Sequence, residues 1–485
     1  MSLSRLRRRP ALLLTAVAIA ACGPTRPEQR GGIASAGPVA QAWITTGDSS
    51  RLLSRDPDVP IRSGAAADTS RLVIDVDESI AYQEMLGFGA ALTDASAYLI
   101  QNKLGAQRGA LVQELFGRNP GIGLSFIRVP MGASDFSPRH YSYDDMPPGQ
   151  TDDVLAHFSI DPDRVDRLPL LQAARRVNPA LKIVASPWSP PGWMKTSGSL
   201  VQGTLRPEFQ DAFARYFLAF IRAYAVEGLP IHAVTLQNEP AFEPSNYPGM
   251  RLDPPMRAAL IARHVGPLFQ RSGVGTLILD WDHNWDAPTA PLAVLADSAA
   301  RRYVNGVAWH CYAGNVSSQD TVHAAYPDKD AYFTECSGGA WAPVFADNLK
   351  YDVGTLIIGT TRAWARGVAL WNIALDENAG PHLGGCGDCR GVVTIDGRTG
   401  VVTRNVEYYA LAHASLFVVP GAHRIASSTG VAGLQSVAFR NADDGSKVLL
   451  VLNTASLERA FTVRFGAKAF SYALPPGAVV TLRWL

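Results

Sequence analysis

The chain has 485 residues, of which 47% are hydrophobic and 18% are charged. A hydrophobic fraction of this size excludes a disordered or fibrous chain. Lys and Arg together number 44 and Asp and Glu 43, so the charge balance gives no reason to expect a nucleic-acid partner. Five cysteines are too few for a disulfide scaffold. The composition therefore predicts a large, neutral globular protein.

The first 22 residues have the pattern of an export signal. Arginines at positions 5 and 7–9 precede an apolar run over residues 11–21, which is too short to span a bilayer. The run ends at Ala21-Cys22-Gly23, which resembles a bacterial lipoprotein box, where cleavage precedes a cysteine that then carries lipid. The alternative is ordinary cleavage near an Ala-x-Ala site, with Cys22 lost or left free. Either process predicts export to the periplasm or the cell surface, with membrane contact through a lipid anchor if Cys22 is modified, and residues 23–40 as a flexible tether.

Residues 81–410 alternate short apolar runs with helical segments. Residues 207–227 illustrate a connecting helix, because Pro207 stands at the start, apolar residues recur with helical spacing and Gly228 follows the end. Eight strands are predicted over residues 85–89, 125–129, 182–186, 233–237, 276–280, 306–309, 332–334 and 367–371. Eight strands that alternate with helices predict an α/β fold of the (β/α)8 TIM-barrel type.

Both ends of the chain are rich in β-strand patterns. Residues 41–80 contain two candidate strands, at residues 42–46 and 72–76. After about Tyr409, four short strands separated by turn residues are predicted at 448–452, 460–465, 470–474 and 479–484. The N-terminal strands have no evident partner inside the barrel. We therefore predict that they pair with the C-terminal segment, residues 411–485, in an attached β-sandwich.

Polar and aromatic residues gather at the ends of the predicted strands. In barrel enzymes the reacting groups lie at the C-terminal ends of the strands. These ends carry Thr93-Asp94, Arg128 and Asp135, Trp188 and Trp193, Gln237-Asn238-Glu239, Trp309-His310-Cys311-Tyr312, Thr334-Glu335 and Trp371-Asn372. Indole rings stack on the C–H faces of sugars, while carboxylate and amide groups bind their hydroxyls. The set therefore predicts a sugar site.

Glu239 and Glu335 are the candidate catalytic pair. Glu239 follows predicted strand four and Glu335 ends predicted strand seven. These strands lie across the barrel mouth from each other, so two long side chains can converge there. Hydrolysis of a glycosidic bond with retention needs one protonated acid and one ionised nucleophile about 5–5.5 Å apart. A salt bridge within the barrel is the alternative for a single glutamate at a strand end, but the pair and its aromatic surround favour catalysis.

Five longer motifs follow one another along the chain. They are GFGAALTDA at residues 87–95, FIRVPM at 126–131, ASPWSPPGWMKT at 185–196, VTLQNEP at 234–240 and WNIAL at 371–375. Together they closely resemble glycoside hydrolase family 30, the family of lysosomal glucosylceramidase, and the resemblance runs from about Tyr82 to the C-terminus. It implies a barrel fused to a side β-sandwich built from both chain ends, and a retaining mechanism.

The resemblance also implies roles for individual residues. Glu239 resembles the general acid/base, Glu335 the nucleophile, and Asn238 the residue that holds the 2-hydroxyl of the sugar. Family positions that bind the terminal sugar match Asp94, Trp188 and Trp371, and neighbours that orient the carboxylates match Arg128, His310 and Tyr312. We expect Arg128 to keep Glu335 ionised and an apolar wall to raise the pKa of Glu239. The alternatives are that Arg128 satisfies buried polar groups of the barrel and that Trp188 and Trp371 are packing residues.

The segment after strand eight departs from the lysosomal enzyme and resembles bacterial family members better. It contains Cys386-Gly-Asp-Cys389, a spacing that in a cytosolic protein suggests a redox or metal site. A zinc site needs two more ligands, and Cys311 and Cys336 belong to other strands. We therefore predict a disulfide between Cys386 and Cys389 that shapes a loop where the aglycone or the next sugar binds. Cys311 and Cys336 are expected to be small, buried packing residues.

The sequence as a whole predicts a glucosylceramidase-like retaining β-glycosidase whose substrate is a β-glucoside, either a glycolipid or a β-glucan. Two alternatives stay open: an endo-β-1,6-glucanase of the same family, and a non-catalytic carbohydrate-binding surface lipoprotein. A narrow pocket closed by the strand-eight loop favours exo-action, and an open cleft favours endo-action. The sequence has neither a phosphate-binding glycine loop nor a His-Glu-x-x-His motif, so we predict no cofactor and no catalytic metal.

Overall fold

The computed structural model describes residues 37–63 and 72–485. The predicted export signal with Cys22 and most of the predicted tether lie outside the described residues. The first strand begins at Val39, so it takes in the last two residues of that tether. No helix in the described ranges combines the length and the apolar character that a membrane crossing requires.

Eight parallel strands form the barrel, as the alternating pattern predicts. In chain order they are Gly87–Ala90, Phe126–Met131, Lys182–Pro187, Ile231–Thr235, Leu277–Asn284, Val304–His310, Asp330–Glu335 and Ala365–Leu370. Neighbours in the chain pair in the sheet from the second strand to the eighth, and the eighth pairs with the first. A parallel bridge between Ala91 and Arg128 joins the first strand to the second and completes the ring. The strands are buried along almost their whole length, because helices cover the outer face and side chains fill the interior.

Helices connect the barrel strands on the outside. The α-helices are Asp94–Asn102, Arg108–Phe116, Arg167–Val177, Gln210–Val226, Pro254–Leu260, Gly266–Ser272, Thr289–Ala296, Ser298–Arg301, Ser317–Ala325, Phe345–Tyr351, Thr360–Arg362 and Val406–Ser415. The helix predicted at 207–227 is observed as a 3-10 turn, Pro207–Phe209, followed by Gln210–Val226. Gly228 then takes a φ of +75°, a conformation that ends a helix with little strain only when the residue is glycine.

A ten-stranded mixed sheet is built from both ends of the chain. Its spatial order is Ser54–Pro60, Val39–Thr45, Val479–Trp484, Lys447–Asn453, Leu434–Arg440, His423–Ser427, Leu72–Glu84, Arg459–Phe465, Lys468–Leu474 and Arg62–Ser63. The N-terminal strands therefore pair with the C-terminal segment, which confirms the prediction. A separate apolar core, which includes Ile74, Leu449 and Phe461, holds this domain together.

One helix joins the barrel to the ten-stranded sheet. Val406–Ser415 runs across the boundary predicted after residue 410. Its buried His413 makes hydrogen bonds of 2.8 Å with Thr45 and with Thr481, which lie on paired N-terminal and C-terminal strands. The sheet is thus fixed to the barrel by a polar contact as well as by packing.

Candidate active site

Glu239 and Glu335 converge at the C-terminal end of the barrel. Glu335 is the last residue of the seventh strand, and Glu239 lies four residues after the end of the fourth strand at Thr235. One carboxylate oxygen of each glutamate and one ring nitrogen of His310 all lie within 4.8 Å of one another. The structure thus brings together the two carboxylates that the sequence singled out.

The backbone aims Glu239 at this point. Its φ is +47°, which places a non-glycine residue in the left-handed region. The Glu239 amide donates to the Asp282 carbonyl at 3.0 Å, and the Asn238 amide donates to the Pro187 carbonyl at 2.8 Å. A backbone conformation of this kind costs about 1–3 kcal/mol and persists where neighbouring structure enforces it. The third and fifth strands thus hold the glutamate in place.

Two donors hold the carboxylate of Glu335. Arg128 Nη1 donates to Oε2 at 2.5 Å, and the Tyr312 hydroxyl donates to Oε1 at 2.9 Å. Arg128 is fully buried, and a guanidinium can only donate. A separate donor on each oxygen suits an ionised carboxylate in a fixed orientation.

Asp282, near the end of the fifth strand, is the centre of the network, and the sequence analysis missed it. It is fully buried and has a φ of +58°. Its two oxygens accept five hydrogen bonds, from Arg128, Ser186, Thr235 and Thr334 at 2.7 Å and from His310 at 3.0 Å. Burial opposes its ionisation, but Arg128 and His310 hold the pKa of Asp282 well below its usual range. The rule that reacting groups lie at the C-terminal ends of barrel strands would have pointed to the Asp280-Trp-Asp282-His283 segment, had it been applied to the fifth strand.

His310 connects Asp282 to Glu239. Its Nε2 lies 3.0 Å from Asp282 Oδ1, and its Nδ1 lies 3.2 Å from Glu239 Oε1. Burial lowers the pKa of His310, but the charge of Glu335 and the contacts with Asp282 and Glu239 outweigh it and raise the pKa to about 9. At neutral pH His310 is therefore a cation that donates to both carboxylates.

The prediction that an apolar wall raises the pKa of Glu239 is wrong. Two imidazoles, His310 at 3.2 Å and His283 at 3.9 Å, face the same oxygen, Oε1. Burial does act to raise the pKa of Glu239, but the hydrogen bond and positive charge of His310 outweigh it, and the pKa is lowered. Because both imidazoles approach Oε1, Oε2 is the oxygen that can face a leaving group.

Arg128 contacts Glu335 as predicted, but it does not set the pKa alone. The pKa of Glu335 is raised overall, because burial and the charge of Glu239 outweigh the opposing charges of His310 and Arg128, so the expectation that Arg128 keeps Glu335 ionised is not supported. Two cations, Arg128 and His310, thus face three carboxylates, those of Asp282, Glu239 and Glu335. The five groups therefore carry one net negative charge when all of them are ionised.

Trp188 and Trp371 form one wall beside the pair. Their rings stack at a centroid distance of 5.2 Å and an interplanar angle of 22°. The Arg128 guanidinium lies 4.7 Å from the centroid of Trp188 and 5.8 Å from that of Trp371. The two indoles therefore pack on each other and on the residue that binds Glu335. Their contact with a sugar stays a prediction, as does that of Asn238, whose Oδ1 accepts from Arg128 at 2.6 Å.

Asp135 is buried and its pKa depends on the charges of the catalytic pair, whereas Asp94 is engaged by other residues. Burial, with the charges of Glu335 and Glu239, raises the pKa of Asp135 to about 8. Asp94 is bound by Arg167 at 2.6 Å, and Ser137 and Tyr141 also donate to it. The role of Asp94 in sugar binding stays a prediction, and its oxygens are engaged in this network.

One of the two cysteine pairs forms the predicted disulfide, and the other forms a disulfide that was not predicted. The disulfide between Cys386 and Cys389 is present, as predicted. The prediction that Cys311 and Cys336 only fill space is wrong, because they form a second disulfide with a Cα separation of 5.4 Å. Each cysteine directly follows the end of a barrel strand, the sixth and the seventh, and these strands are adjacent. The bond ties the residue between His310 and Tyr312 to the residue after Glu335.

The loop after the eighth strand packs onto the wall that carries Asp135. The Leu383 amide donates to the Asp135 carbonyl at 2.8 Å. Gly385 has a φ of +67°, and any Cβ there would overlap the Asp135 side chain. Cys386 and Cys389 pack in one apolar cluster with Trp188 and Trp371. The loop therefore covers this side of the barrel mouth, where it was predicted to lie.

Comparison with known proteins agrees with this geometry. Residues 85–418 match the glycosyl hydrolase family 30 TIM-barrel domain, and residues 421–482 match the family 30 beta sandwich domain. An endo-1,6-beta-D-glucanase of Neurospora crassa is 36% identical over 451 residues, covering 89% of this chain and 92% of its own. The lysosomal acid glucosylceramidase of Mus musculus is 30% identical over 440 residues, covering 85% and 83%. The solved structure of the endo-beta1,6-glucanase BT3312 has a TM-score of 0.84 at 31% identity, covering 92% of this chain and 99% of that one.

Both domains, in this order, account for nearly all of the described residues. The three comparisons also cover most of each relative's own length. The chain therefore belongs to glycosyl hydrolase family 30, and it is a glycosidase of that family.

Proposed function

We propose that this protein is an endo-β-1,6-glucanase that hydrolyses its substrate with retention. The observation that carries the mechanism is the approach of Glu239 and Glu335, whose nearest oxygens lie within 4.8 Å. Retaining enzymes place their two carboxyl groups about 5–5.5 Å apart, whereas inverting enzymes need about 6.5–9.5 Å to admit a water molecule. The spacing supports the first arrangement.

In the first step Glu335 attacks the anomeric carbon while Glu239 protonates the leaving oxygen. In the second step Glu239 takes a proton from water, which displaces Glu335 from the sugar. The hydrogen bonds support these roles, because Arg128 and Tyr312 orient both oxygens of Glu335, while Glu239 keeps Oε2 for the leaving group.

The choice of substrate departs from the glucosylceramidase-like function that the sequence suggested first. Two relatives with higher identity than the mouse glucosylceramidase are endo-1,6-glucanases. Three exposed aromatic residues also follow the strands that carry the site: Tyr312, Phe242 and Trp341, with 46%, 47% and 54% of their surface accessible. Rings in these places suit stacking on successive sugars of a polymer, which supports the glucan as substrate.

Digestion of two substrates tests the proposal. The purified protein is incubated separately with β-1,6-glucan and with glucosylceramide, and the products are separated by chromatography. We expect oligosaccharides from the glucan and no glucose from the lipid. Glu335→Gln should abolish hydrolysis, while Glu458→Gln, which alters an exposed glutamate, should leave it unchanged. Glucose released from the lipid alone would contradict the proposal, and binding of glucan without hydrolysis by the unmodified protein would favour the non-catalytic alternative.

We also propose that the protein is exported. The two disulfides support this location, because disulfides persist in oxidising compartments. Fractionation of cells that express the full chain tests it, and Cys22→Ser tests the lipid anchor. We expect the Cys22→Ser protein to leave the membrane fraction, and an unchanged distribution would argue against lipid attachment.

A further inference from the structure

A second cluster of ionisable side chains lies away from the catalytic pair. Asp144, Asp152 and His157 belong to the long segment, residues 132–160, that follows the second barrel strand. Each offers one ligand atom, and these three atoms lie within 4.8 Å of one another. Asp144 and Asp152 are buried, with 1% and 6% of their surface accessible, while His157 is exposed. Two carboxylates therefore face each other under a solvent-facing imidazole.

The carboxylate of Asp144 lacks a partner. Both of its oxygens are buried, and neither accepts a hydrogen bond from any described residue. The contrast with Asp152 is clear, because Asp152 Oδ2 accepts from the His157 amide at 2.7 Å and lies 2.9 Å from His157 Nδ1. A buried carboxylate without donors is strongly unfavourable, so either a proton or a group from outside the protein must compensate it.

We propose that Asp144, Asp152 and His157 bind a divalent cation. Two carboxylates and one imidazole form a mixed oxygen and nitrogen donor set, which suits Mn²⁺ or Zn²⁺ better than an all-oxygen set would. A cation held by both oxygens of Asp144 satisfies the two atoms that the protein leaves without donors. His157 is free to turn its ring toward the ion, because two-thirds of its side chain is exposed.

A proton shared between the two aspartates is the competing explanation. Burial and the neighbouring Asp152 raise the pKa of Asp144 to about 7, so a proton is available near neutral pH. A shared proton, however, satisfies only one oxygen of Asp144 and leaves the other without a donor among the described residues. This second oxygen therefore favours the cation.

Such an ion would fasten the mouth of the barrel. The Asp144 carbonyl accepts a hydrogen bond of 2.9 Å from Trp193 Nε1, and Trp193 belongs to the loop after the third strand. The ion would also close the segment between Asp144 and His157 into a ring. We therefore assign it a structural role, outside the catalytic steps.

The test uses the full protein after dialysis against a chelator. Mn²⁺, Zn²⁺ and Ca²⁺ are added separately, and melting temperature and bound metal per chain are measured. We expect Mn²⁺ or Zn²⁺ at a hundredfold excess over Kd to raise the melting temperature by about 3 °C. Asp144→Asn should abolish the response, while Asp153→Asn, which alters an adjacent exposed aspartate, should keep it. The same titration in Glu335→Gln removes any contribution of an ion at the catalytic pair.

Failure of all three cations to stabilise the protein would overturn the proposal. So would an unchanged response in Asp144→Asn. A higher melting temperature of that variant, together with no cation effect on the unmodified protein, would identify a shared proton instead. If Asp144→Asn does not fold, His157→Gln decides the matter, because this side chain is exposed. We expect it to weaken binding at least about tenfold by removing one ligand, and unchanged affinity would contradict the site.

Discussion

Replacement of Asp282 by asparagine removes the negative charge at the centre of the active-site network. The side chain keeps its size, but Arg128 and His310 lose the carboxylate between them. Loss of one partner from a buried ion pair costs about 3–5 kcal/mol. Unfolding entropy of about 2.1 cal/mol/K per residue amounts to about 1 kcal/mol/K for 485 residues. We therefore expect the melting temperature of Asp282→Asn to fall by about 3–5 °C.

The same substitution should impair catalysis, because His310 then loses the partner that fixes its ring beside Glu239. A displacement of about 1 Å at a catalytic group lowers the rate about 100-fold, and we expect a decrease of this size in kcat/KM on an aryl β-glucoside. The pKa of His310, raised to about 9 in the intact protein, should also fall. As the pH is raised, the imidazole then loses its proton earlier, so activity should begin to decline at a lower pH than in the unmodified protein.

Asp280→Asn is the matched control. Asp280 lies on the same strand and is also fully buried, and it pairs with Arg257 at 2.7 Å on the outer side of the barrel. The Asp280→Asn substitution should lower the melting temperature by a similar amount and leave kcat/KM within about twofold of the value of the unmodified protein. Equal losses of activity in the two variants would contradict a catalytic role for the Asp282 network, because they would show that stability alone explains the effect.

Three further predictions concern the neighbours of the pair. Conversion of Cys311 and Cys336 to serine together should lower kcat about tenfold while the circular dichroism spectrum is unchanged, because the disulfide ties two segments that carry the site; unchanged kcat would limit the bond to a role in stability. Asp135 has a pKa raised to about 8, so it is neutral below that pH and ionised above it. We expect this ionisation beside the pair to lower kcat/KM above about pH 8 and expect that fall to be absent in Asp135→Asn; a profile identical to that of the unmodified protein would contradict this. Glu239→Gln should lose about 100-fold or more on β-1,6-glucan and regain activity with azide on an aryl glucoside, since only the acid/base is missing; no rescue would argue against its role.

The barrel could be predicted because its parallel strands are buried on both faces and read as short apolar runs between helices. Each of the eight predicted runs overlaps an observed strand, and both glutamates lie at or just beyond the strand ends. The pairing of the chain ends could also be predicted, since edge strands need partners. Four strands of the sandwich were missed because polar residues break or replace their apolar runs: Ser54–Pro60, Arg62–Ser63, His423–Ser427 and Leu434–Arg440.

The features that escaped the sequence are tertiary. The fifth strand continues to Asn284 through residues with positive φ at Trp281 and Asp282, whereas the prediction ended it at residue 280, so Asp282 fell in a loop. The disulfide between Cys311 and Cys336 depends on the adjacency of two strands, which the spacing along the chain does not display. The electrostatic surroundings of Glu239 depend on imidazoles from other strands.

The initial anomeric configuration of the product tests the proposed double displacement by Glu335 and Glu239 most directly. A fresh digest of β-1,6-glucan is followed by proton NMR from the first minutes, before mutarotation mixes the anomers. Because we assign Glu335 as nucleophile and Glu239 as acid/base, we predict that new reducing ends of oligosaccharides appear first as the β-anomer. Early appearance of the α-anomer would contradict the double displacement, and the absence of new reducing ends would contradict the assigned substrate.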